Sequence, residues 1–298
     1  MPNTELLTFT DVGNRDVYNP TVLKIDGELV LAGRVESRDY PSDAYTAPTE
    51  TRFFTEVRKG VFTPLRDTPV FRLEDPSLMW IGDEIIMGGV EVEWTPNGKH
   101  EWFGVRFNGY WMRFYRGRSL KDLEPFAVGP KDMKDIRLVD LGERGVGIFT
   151  RPQGKEFGMG RIGWTTLRSL DELSPERIED AHIFHNQFSK NSHGGVNAAY
   201  PLTDGTIGVL LHKARVAGTM RHYEAATAVF DPDMLEWSPL RTIARRSDFP
   251  EAPAKRPELT DVVFPGALLR ENADTWTLYA GLSDAATGRR TIENPFDA

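Results

Sequence analysis

Apolar residues along the chain come in short runs that are rich in β-branched and aromatic side chains, and turn residues separate these runs. Such runs between Gly, Pro, Asn and Asp are typical of β-strands. Long helical periodicity is missing, and its nearest approach, residues 167–178, is interrupted by Pro175. The pattern therefore predicts a protein made mostly of β-strands.

Five segments of the chain share one layout: a strand, a tight turn, and a return strand that ends in a polar residue. Their turns begin at residues 26, 82, 142, 204 and 272, so the spacings are 56, 60, 62 and 68 residues. Residues 169–173 and 231–235 form a second repeated element, because each begins 27 residues after the turn of its segment. We therefore interpret the chain as five repeated units.

A repeat of this length accommodates a four-stranded blade, and propellers have about 4–8 blades. The sequence thus predicts an all-β fold, a five-bladed β-propeller that forms a single domain over residues 1–298. The last unit has few residues after its hairpin, so we expect the N-terminal strand, within residues 5–10, to complete it. This would close the ring and leave no free strand edge. A β-sandwich with fortuitous spacing is the alternative.

Hairpin geometry predicts where the polar residues of the units meet. The start of the first strand and the end of the return strand lie together, opposite the turn. In a propeller these ends collect at one mouth of the central channel, where polar groups are costly unless they are paired or bind a ligand. The strand starts place there Asn19, Asp75, Asp135 with Arg137, and Asn197. The return ends add Arg34, Glu91, Arg151, His212 and Asp284.

Composition narrows the classes of function. Lys and Arg total 36 against 44 Asp and Glu, and the resulting net charge of −8 disfavours nucleic acid and acidic membranes as partners. The chain has no cysteine, and its six histidines lack the spacing of metal ligands, so we expect no disulfide and no metal site. No secretion signal or membrane-spanning stretch is visible, which favours a cytoplasmic protein. A homo-oligomer is compatible with the sequence.

Three motifs carry a resemblance to a known family. They are Glu-Asp-Pro at 74–76, Val-Phe-Pro-Gly at 263–266 and Tyr-Ala-Gly-Leu-Ser-Asp at 279–284. In this order they resemble the inverting β-mannoside phosphorylases, and the chain is most similar to the β-1,2-mannan phosphorylase/mannosyltransferase group. The resemblance implies reversible phosphorolysis of β-mannosides to α-mannose 1-phosphate and a shortened chain. Oligosaccharide and inorganic phosphate would be the substrates, with no cofactor.

The resemblance also implies roles for individual residues. Asp75 corresponds to the general acid, which protonates the leaving glycosidic oxygen. The residues expected to bind the mannosyl unit are Asn19, Asp284, Asn197 and His212. Basic residues of the first, third and fourth units are expected to hold phosphate, and the candidates are Arg34 (or Arg38), Arg137, Arg151, Lys190 and His193.

The residues themselves favour phosphorolysis over hydrolysis. An inverting hydrolase needs a carboxylate base about 6.5–9.5 Å from its acid to activate water. The first unit offers Asn19 instead, and an amide cannot act as a base. We therefore expect one carboxylic acid, Asp75, to face a cluster of cations that suits phosphate. Two alternatives stay open: a β-glycoside hydrolase of the same fold that uses Glu36 or Glu91, and a carbohydrate-binding propeller without catalysis.

Overall fold

The structure is a computed structural model that describes residues 3–189 and 191–297. Strands dominate this part of the chain, which confirms the predicted all-β class. Its helical segments are single turns: α1 (Pro175–Glu179) and the 3-10 turns Gly142–Arg144, Leu170–Glu172, Arg246–Asp248 and Pro257–Leu259. None of these helices has the length and apolar character that crossing a membrane requires.

The strands of the N-terminal half are numbered in chain order. Two short strands begin it, β1 (Thr4–Leu6) and β2 (Thr8–Phe9). The first unit contains β3 (Asp16–Ile25), β4 (Glu28–Glu36), β5 (Glu50–Arg58) and β6 (Val61–Pro64). The second unit contains β7 (Glu74–Ile81), β8 (Glu84–Trp94), β9 (His100–Trp102), β10 (Val105–Gly117) and β11 (Glu124–Val128).

Three further units follow. The third contains β12 (Arg137–Asp140), β13 (Val146–Thr150), β14 (Gly163–Leu167) and β15 (His182–Ile183). The fourth contains β16 (Ser192–Pro201), β17 (Ile207–Ala217), β18 (Met220–Asp231), β19 (Glu236–Trp237) and β20 (Arg241–Ala244). The fifth contains β21 (Asp261–Arg270), β22 (Thr275–Leu282) and β23 (Ala286–Glu293).

The first two strands of each unit pair antiparallel and are the five hairpins expected from the sequence. In the first unit both turn residues, Asp26 and Gly27, have positive φ (51° and 82°), which matches the twist of a tight hairpin. A third and a fourth antiparallel strand extend each hairpin outward. In the fifth unit the fourth strand is β1, which pairs with β23.

Part of the N-terminal segment pairs differently from the expectation. Residues 4–6 complete the fifth unit, whereas Thr8 and Phe9 pair in parallel with β6 of the first unit. The segment therefore joins the last unit to the first.

The units follow one another around a common centre. The first strand of each unit contacts the first strand of the next, and β21 of the fifth unit contacts β3 of the first. These five strands line a cavity of about 240 Å³. Five buried apolar clusters lie between neighbouring units, including the fifth and the first. The apolar core is thus divided among the five contacts between units.

A backbone irregularity recurs near the start of the first strands. The ladders of β3, β7, β16 and β21 are interrupted at Asn19, Asp75, Asn197 and Gly266. Asp135 holds the corresponding place two residues before the start of β12. Positive φ values occur at Asn19 (46°), Asp75 (49°) and Asp135 (58°), a conformation that Asn and Asp adopt more readily than most residues. Because a bulge redirects a side chain out of the regular alternation, it brings these polar groups to one mouth of the cavity.

Candidate active site

Asp75 is buried at the bulge of β7, and the first unit holds its side chain. Asn19 Nδ2 donates a hydrogen bond to Asp75 Oδ1 at 2.7 Å, and Arg34 Nη1 donates to the same oxygen at 3.2 Å. Only 6% of Asp75 is exposed. Because both donors use Oδ1, Oδ2 is the oxygen available to exchange a proton with a substrate.

Arg34 lies at the centre of a buried cluster of ion pairs. Besides Asp75, its guanidinium contacts Glu36 (Nε to Oε2, 2.9 Å) and Glu74 (Nη2 to Oε1, 3.2 Å). The structure therefore places Arg34 beside the acid and outside the cationic pocket described below, and its role as a phosphate ligand stays a prediction. Arg38, the other candidate, has an exposed side chain that pairs with Asp16.

Lys255 joins this cluster from the loop that precedes the fifth unit. Its ammonium group pairs with Glu36 and lies 3.2 Å from the hydroxyl of Tyr18, which also donates to Glu36. Burial lowers the pKa of Lys255 to about 6. Sequence reasoning missed this residue because it lies in a connecting loop, outside the repeated hairpins.

Asp284 follows β22 and is only partly exposed. Burial raises the pKa of its carboxyl group, and the positive charge of Arg34 opposes this effect. The charge of Asp75 adds to the increase. The structure thus places Asp284 within electrostatic range of Asp75, as expected for residues that share a substrate. We call Glu36, Glu74, Asp75 and Asp284, with Arg34 and Lys255, the acidic half of the site.

A pocket of about 460 Å³ opens beside the acidic half. Lys134, Asp135, Arg151, His193 and His212 are among its lining residues. Asp75 lies within electrostatic range of Lys134, because its negative charge contributes to the raised pKa of that lysine. The pocket and the catalytic candidate therefore belong to one site.

Arg151 is held rigidly in this pocket. Its Nε donates to Gly194 O at 2.8 Å, and its Nη2 donates to Met159 O at 2.8 Å. The remaining Nη1 donates to Asp135 Oδ2 at 2.9 Å. The guanidinium is thus oriented before any ligand binds, which lowers the entropic cost of holding an anion.

Charges in this region sum to a positive value. Lys134, Arg137 and Arg151 supply three positive charges against two negative charges from Asp132 and Asp135, a formal net charge of +1. Burial alone would raise the pKa of Asp135, but the charges of Arg151 and Lys134 hold that pKa well below its usual range. Burial and the nearby charge of Arg151 lower the pKa of His193 to about 4, so its imidazole is neutral at neutral pH. We call Asp132, Lys134, Asp135, Arg137, Arg151 and His193 the basic half.

Asn197 and His212 form a connected pair at the base of the pocket. Asn197 Oδ1 accepts from the backbone N–H of His212 at 2.9 Å and lies 2.8 Å from its Nδ1. Since an amide oxygen only accepts, the proton of the neutral ring resides on Nδ1. Nε2 is left as an acceptor. Burial lowers the pKa of His212 well below its usual range.

Two of the predicted residues lie deeper than expected. Arg137 donates through Nε to Asn197 O at 2.9 Å, and both residues line the central cavity. The Nδ2 of Asn197 is buried and has no hydrogen-bond partner among the described residues. Arg137 therefore contributes charge from beneath the pocket. Lys190 lies outside the described residues.

The expectation that one acid faces a cluster of cations is wrong. Four carboxylates gather on the Asp75 side, and Asp135 lies within the basic half. Sequence reasoning also missed Lys134, which precedes Asp135 directly. The sequence could have indicated Lys134, because Lys134 and Arg137 lie on either side of Asp135, the repeated acidic position of the third unit.

A family model described as "Protein of unknown function (DUF1861)" matches residues 1–298. The chain belongs to the DUF1861 family. No curated protein matches this DUF1861 chain.

Solved structures include similar proteins from Leishmania mexicana. A mannose phosphorylase in complex with a phosphate ion is 33% identical, with a TM-score of 0.87 over 98% of the DUF1861 chain and 88% of that chain. A GDP-Man-dependent mannosyltransferase is 30% identical, with a TM-score of 0.85 over 98% and 89% of the two chains. These similarities confirm the resemblance to the mannan phosphorylase/mannosyltransferase family.

A more distant structure shares the fold of the DUF1861 chain. The β-1,2-mannobiose phosphorylase from Listeria innocua is 15% identical, with a TM-score of 0.67 over 97% of this chain and 90% of that chain. At this identity the match concerns the architecture alone.

Proposed function

We propose that the protein catalyses the inverting phosphorolysis of β-mannosides, giving α-mannose 1-phosphate and a chain shortened by one mannose. The observation that carries the proposal is the juxtaposition of a buried acid, Asp75, with a separate pocket into which Lys134 and Arg151 bring two positive charges. The similar mannose phosphorylase in complex with phosphate supports it. The site would run in either direction and would need phosphate as a co-substrate but no cofactor.

The proposed reaction assigns each half of the site a task. A phosphate oxygen attacks the anomeric carbon while the bond from that carbon to the glycosidic oxygen breaks. Asp75 gives its Oδ2 proton to the departing oxygen. The fixed guanidinium of Arg151 and the ammonium of Lys134 hold phosphate and stabilise its charge. Asn19 and Asp284 would bind hydroxyl groups of the mannosyl unit between the two halves.

The architecture that we infer is a five-bladed β-propeller formed by residues 1–298. Its support is the cycle of contacts between the first strands and the apolar clusters at all five junctions. The pairing of β1 with β23 would close the ring. This arrangement explains why residues of several units meet at one mouth.

Contacts within the site favour phosphorolysis over the hydrolytic alternatives. Glu36 is fully buried and pairs with Lys255, so water has no access to it. Glu91 Oε2 accepts from Arg113 Nε at 2.9 Å. Asp135 is a weak base because neighbouring cations hold its pKa well below the usual range. Phosphate needs no base, since it carries its own negative charge.

The test follows product formation from β-1,2-mannobiose with and without phosphate. Phosphorus NMR should detect mannose 1-phosphate only when phosphate is present. Asp75→Asn should lower the rate by about 10²–10⁴-fold, because the amide has no proton to donate to the leaving oxygen. Asp83→Asn, the same change at an exposed residue of the second unit, should retain full activity. Release of free mannose without phosphate would refute the proposal.

A further inference from the structure

An aromatic hairpin of the second unit reaches a loop that precedes the fifth. The turn between β9 and β10 carries Phe103, which follows Trp102. The guanidinium carbon of Arg256 lies 4.4 Å from the ring centroid of Phe103 and 5.6 Å from that of Trp102. Glu258 Oε1 fixes Arg256 by accepting from its Nε at 2.9 Å. We call Trp102, Phe103 and Arg256 the bridge.

One end of the bridge connects to the acidic half through the second unit. Trp102 stacks on Trp94, with ring centroids 6.2 Å apart and an interplanar angle of 16°. Trp94 Nε1 donates to the hydroxyl of Tyr40 at 2.9 Å. Tyr40 in turn donates to Glu74 Oε1 at 2.5 Å, and Glu74 directly precedes Asp75.

The other end connects through the loop before the fifth unit. Arg256 follows Lys255, whose ammonium group is buried against Glu36. The positive charge of Arg256 also acts on the carboxyl group of Asp284 and opposes the rise of its pKa that burial causes. The bridge therefore lies along the edge of the acidic half.

Phe103 occupies a position that an aromatic residue rarely takes. The pairing of Trp102 with Val105 leaves Phe103 and Gly104 as a two-residue hairpin turn. Both have positive φ (48° and 78°), a combination that favours Asn-Gly and disfavours bulky side chains. About half of the surface of Phe103 is also exposed to solvent. The chain thus accepts backbone strain and presents an apolar ring to solvent, which marks a candidate functional position.

The geometry of the proposed displacement reaction indicates which part of the substrate would lie near the ring of Phe103. Attack with inversion requires phosphate and the leaving group on opposite faces of the sugar. Phosphate would occupy the basic half, so the leaving chain extends from the acidic half, where the bridge lies. A pyranose offers an apolar face of C–H groups that suits an aromatic ring, and hydroxyl groups that suit a guanidinium.

We propose that the bridge is the binding site for the acceptor sugar, the part of the mannoside that departs with the protonated oxygen. This inference rests on the proposed function. Phe103 would stack on the sugar, while Arg256 and Trp102 fix the ring and add contacts to the chain.

Phe103→Asn tests the bridge without weakening the turn. It supplies the residue that the turn favours and removes the ring, so thermal stability should be kept or raised. Binding of β-1,2-mannobiose, followed by tryptophan fluorescence, should weaken about 3- to 10-fold. In synthesis from mannose 1-phosphate, KM for the acceptor should rise by the same factor, with KM for mannose 1-phosphate unchanged. Phe103→Tyr should restore both values.

The matched control is Met234→Asn, which replaces an exposed apolar side chain in the loop after β18. It should leave acceptor binding and both KM values unchanged. Unaltered binding in Phe103→Asn, or an equal change in both KM values, would overturn the inference. Absence of phosphate-dependent turnover in the unmodified protein would instead refute the proposed function. The binding of β-1,2-mannobiose would still test whether the bridge binds the sugar.

Discussion

At the scale of single residues, the two halves of the site differ in the sign of their charge. The acidic half contains four carboxylates against Arg34 and Lys255, a formal net charge of −2 when Lys255 is protonated, and the basic half carries +1. Burial and the charge of Asp75 raise the pKa of Asp284, which favours retention of its proton. Burial and the charge of Arg151 lower the pKa of His193, which disfavours protonation of its ring. The proposed proton donor and phosphate pocket would use this difference in charge.

The lowered pKa of His193 makes stability depend on pH. The unfolded chain binds a proton near the ordinary pKa of 6.5, whereas the folded protein binds it only near pH 4. His193 therefore costs the folded state no stability above about pH 6.5, and this cost grows as the pH falls toward 4. At pH 5 this cost amounts to about 2 kcal/mol. Urea unfolding at pH 7.5 and 5 measures it.

His193→Gln should lose less stability between these pH values than the unmodified protein, because the variant lacks the titrating ring. His185→Gln, a change at an exposed histidine, should lose as much as the unmodified protein. Identical losses in all three proteins would show that the ring of His193 is not kept neutral by folding.

At the scale of elements, the bulges near the strand starts position the site, and glycines of the facing strands make room for them. A Cβ atom built at Gly281 in β22 would lie 2.0 Å from Asn19 Oδ1 and 2.6 Å from its backbone nitrogen. The neighbouring unit therefore has no space for a side chain at this contact. The position of Asn19 depends on that space. The position of the Asp75 carboxyl group depends on it in turn, because Asn19 donates a hydrogen bond to that group.

Gly281→Ala should displace Asn19 and lower kcat about 10- to 100-fold, since small misplacements of a catalytic group have effects of this size. Gly288→Ala is the matched control in β23, because the atoms nearest to its added Cβ atom belong to the side chains of Leu282 and Phe249. It should retain kcat. Comparison of steady-state rates decides the point, and equal kcat values for both variants would contradict the role of Asn19.

The hairpins could be predicted from the sequence, because turn residues such as Asp26-Gly27 interrupt apolar runs at regular spacing. Asp75 and Arg151 could be placed at one mouth for the same reason. The bulges could not be predicted, since the dipeptide Asn19-Pro20 does not by itself distinguish a bulged strand from a regular one. The contacts of Arg34 could not be predicted either. Whether Arg34 pairs with Asp75 or binds phosphate depends on the distance between the first and second units.

At the scale of the whole molecule, the N-terminal segment connects the ends of the chain. β1 pairs with β23, and Glu5 Oε1 accepts from Arg289 Nε at 2.8 Å. Arg289 also pairs with Glu56 of the first unit at 2.9 Å. The apolar cluster between the fifth and first units contains Leu7, which follows β1. A short segment thus supports the junction between first and last units.

Deletion of residues 1–7 should expose the edge of β23 and uncover this cluster. We expect a lower urea midpoint and association of the folded chains through the free edge. Glu5→Gln keeps the strand and removes only a partly exposed ion pair, so its free energy of unfolding should change by about 1 kcal/mol or less. Urea unfolding and sedimentation velocity measure both effects. A truncated chain that stays monomeric with an unchanged midpoint would refute the role of β1.

The recurring bulge has an evolutionary consequence. It presents Asn19 and Asn197 in the first and fourth units and Asp75 in the second, and Asp135 takes the corresponding place before the first strand of the third. Asparagine and aspartate have nearly the same shape, and their codons differ by a single nucleotide. Point mutation could therefore exchange neutral and acidic groups around the mouth while the backbone stays intact. Such a scaffold is suited to changes in the charge of its site that leave the fold unaltered.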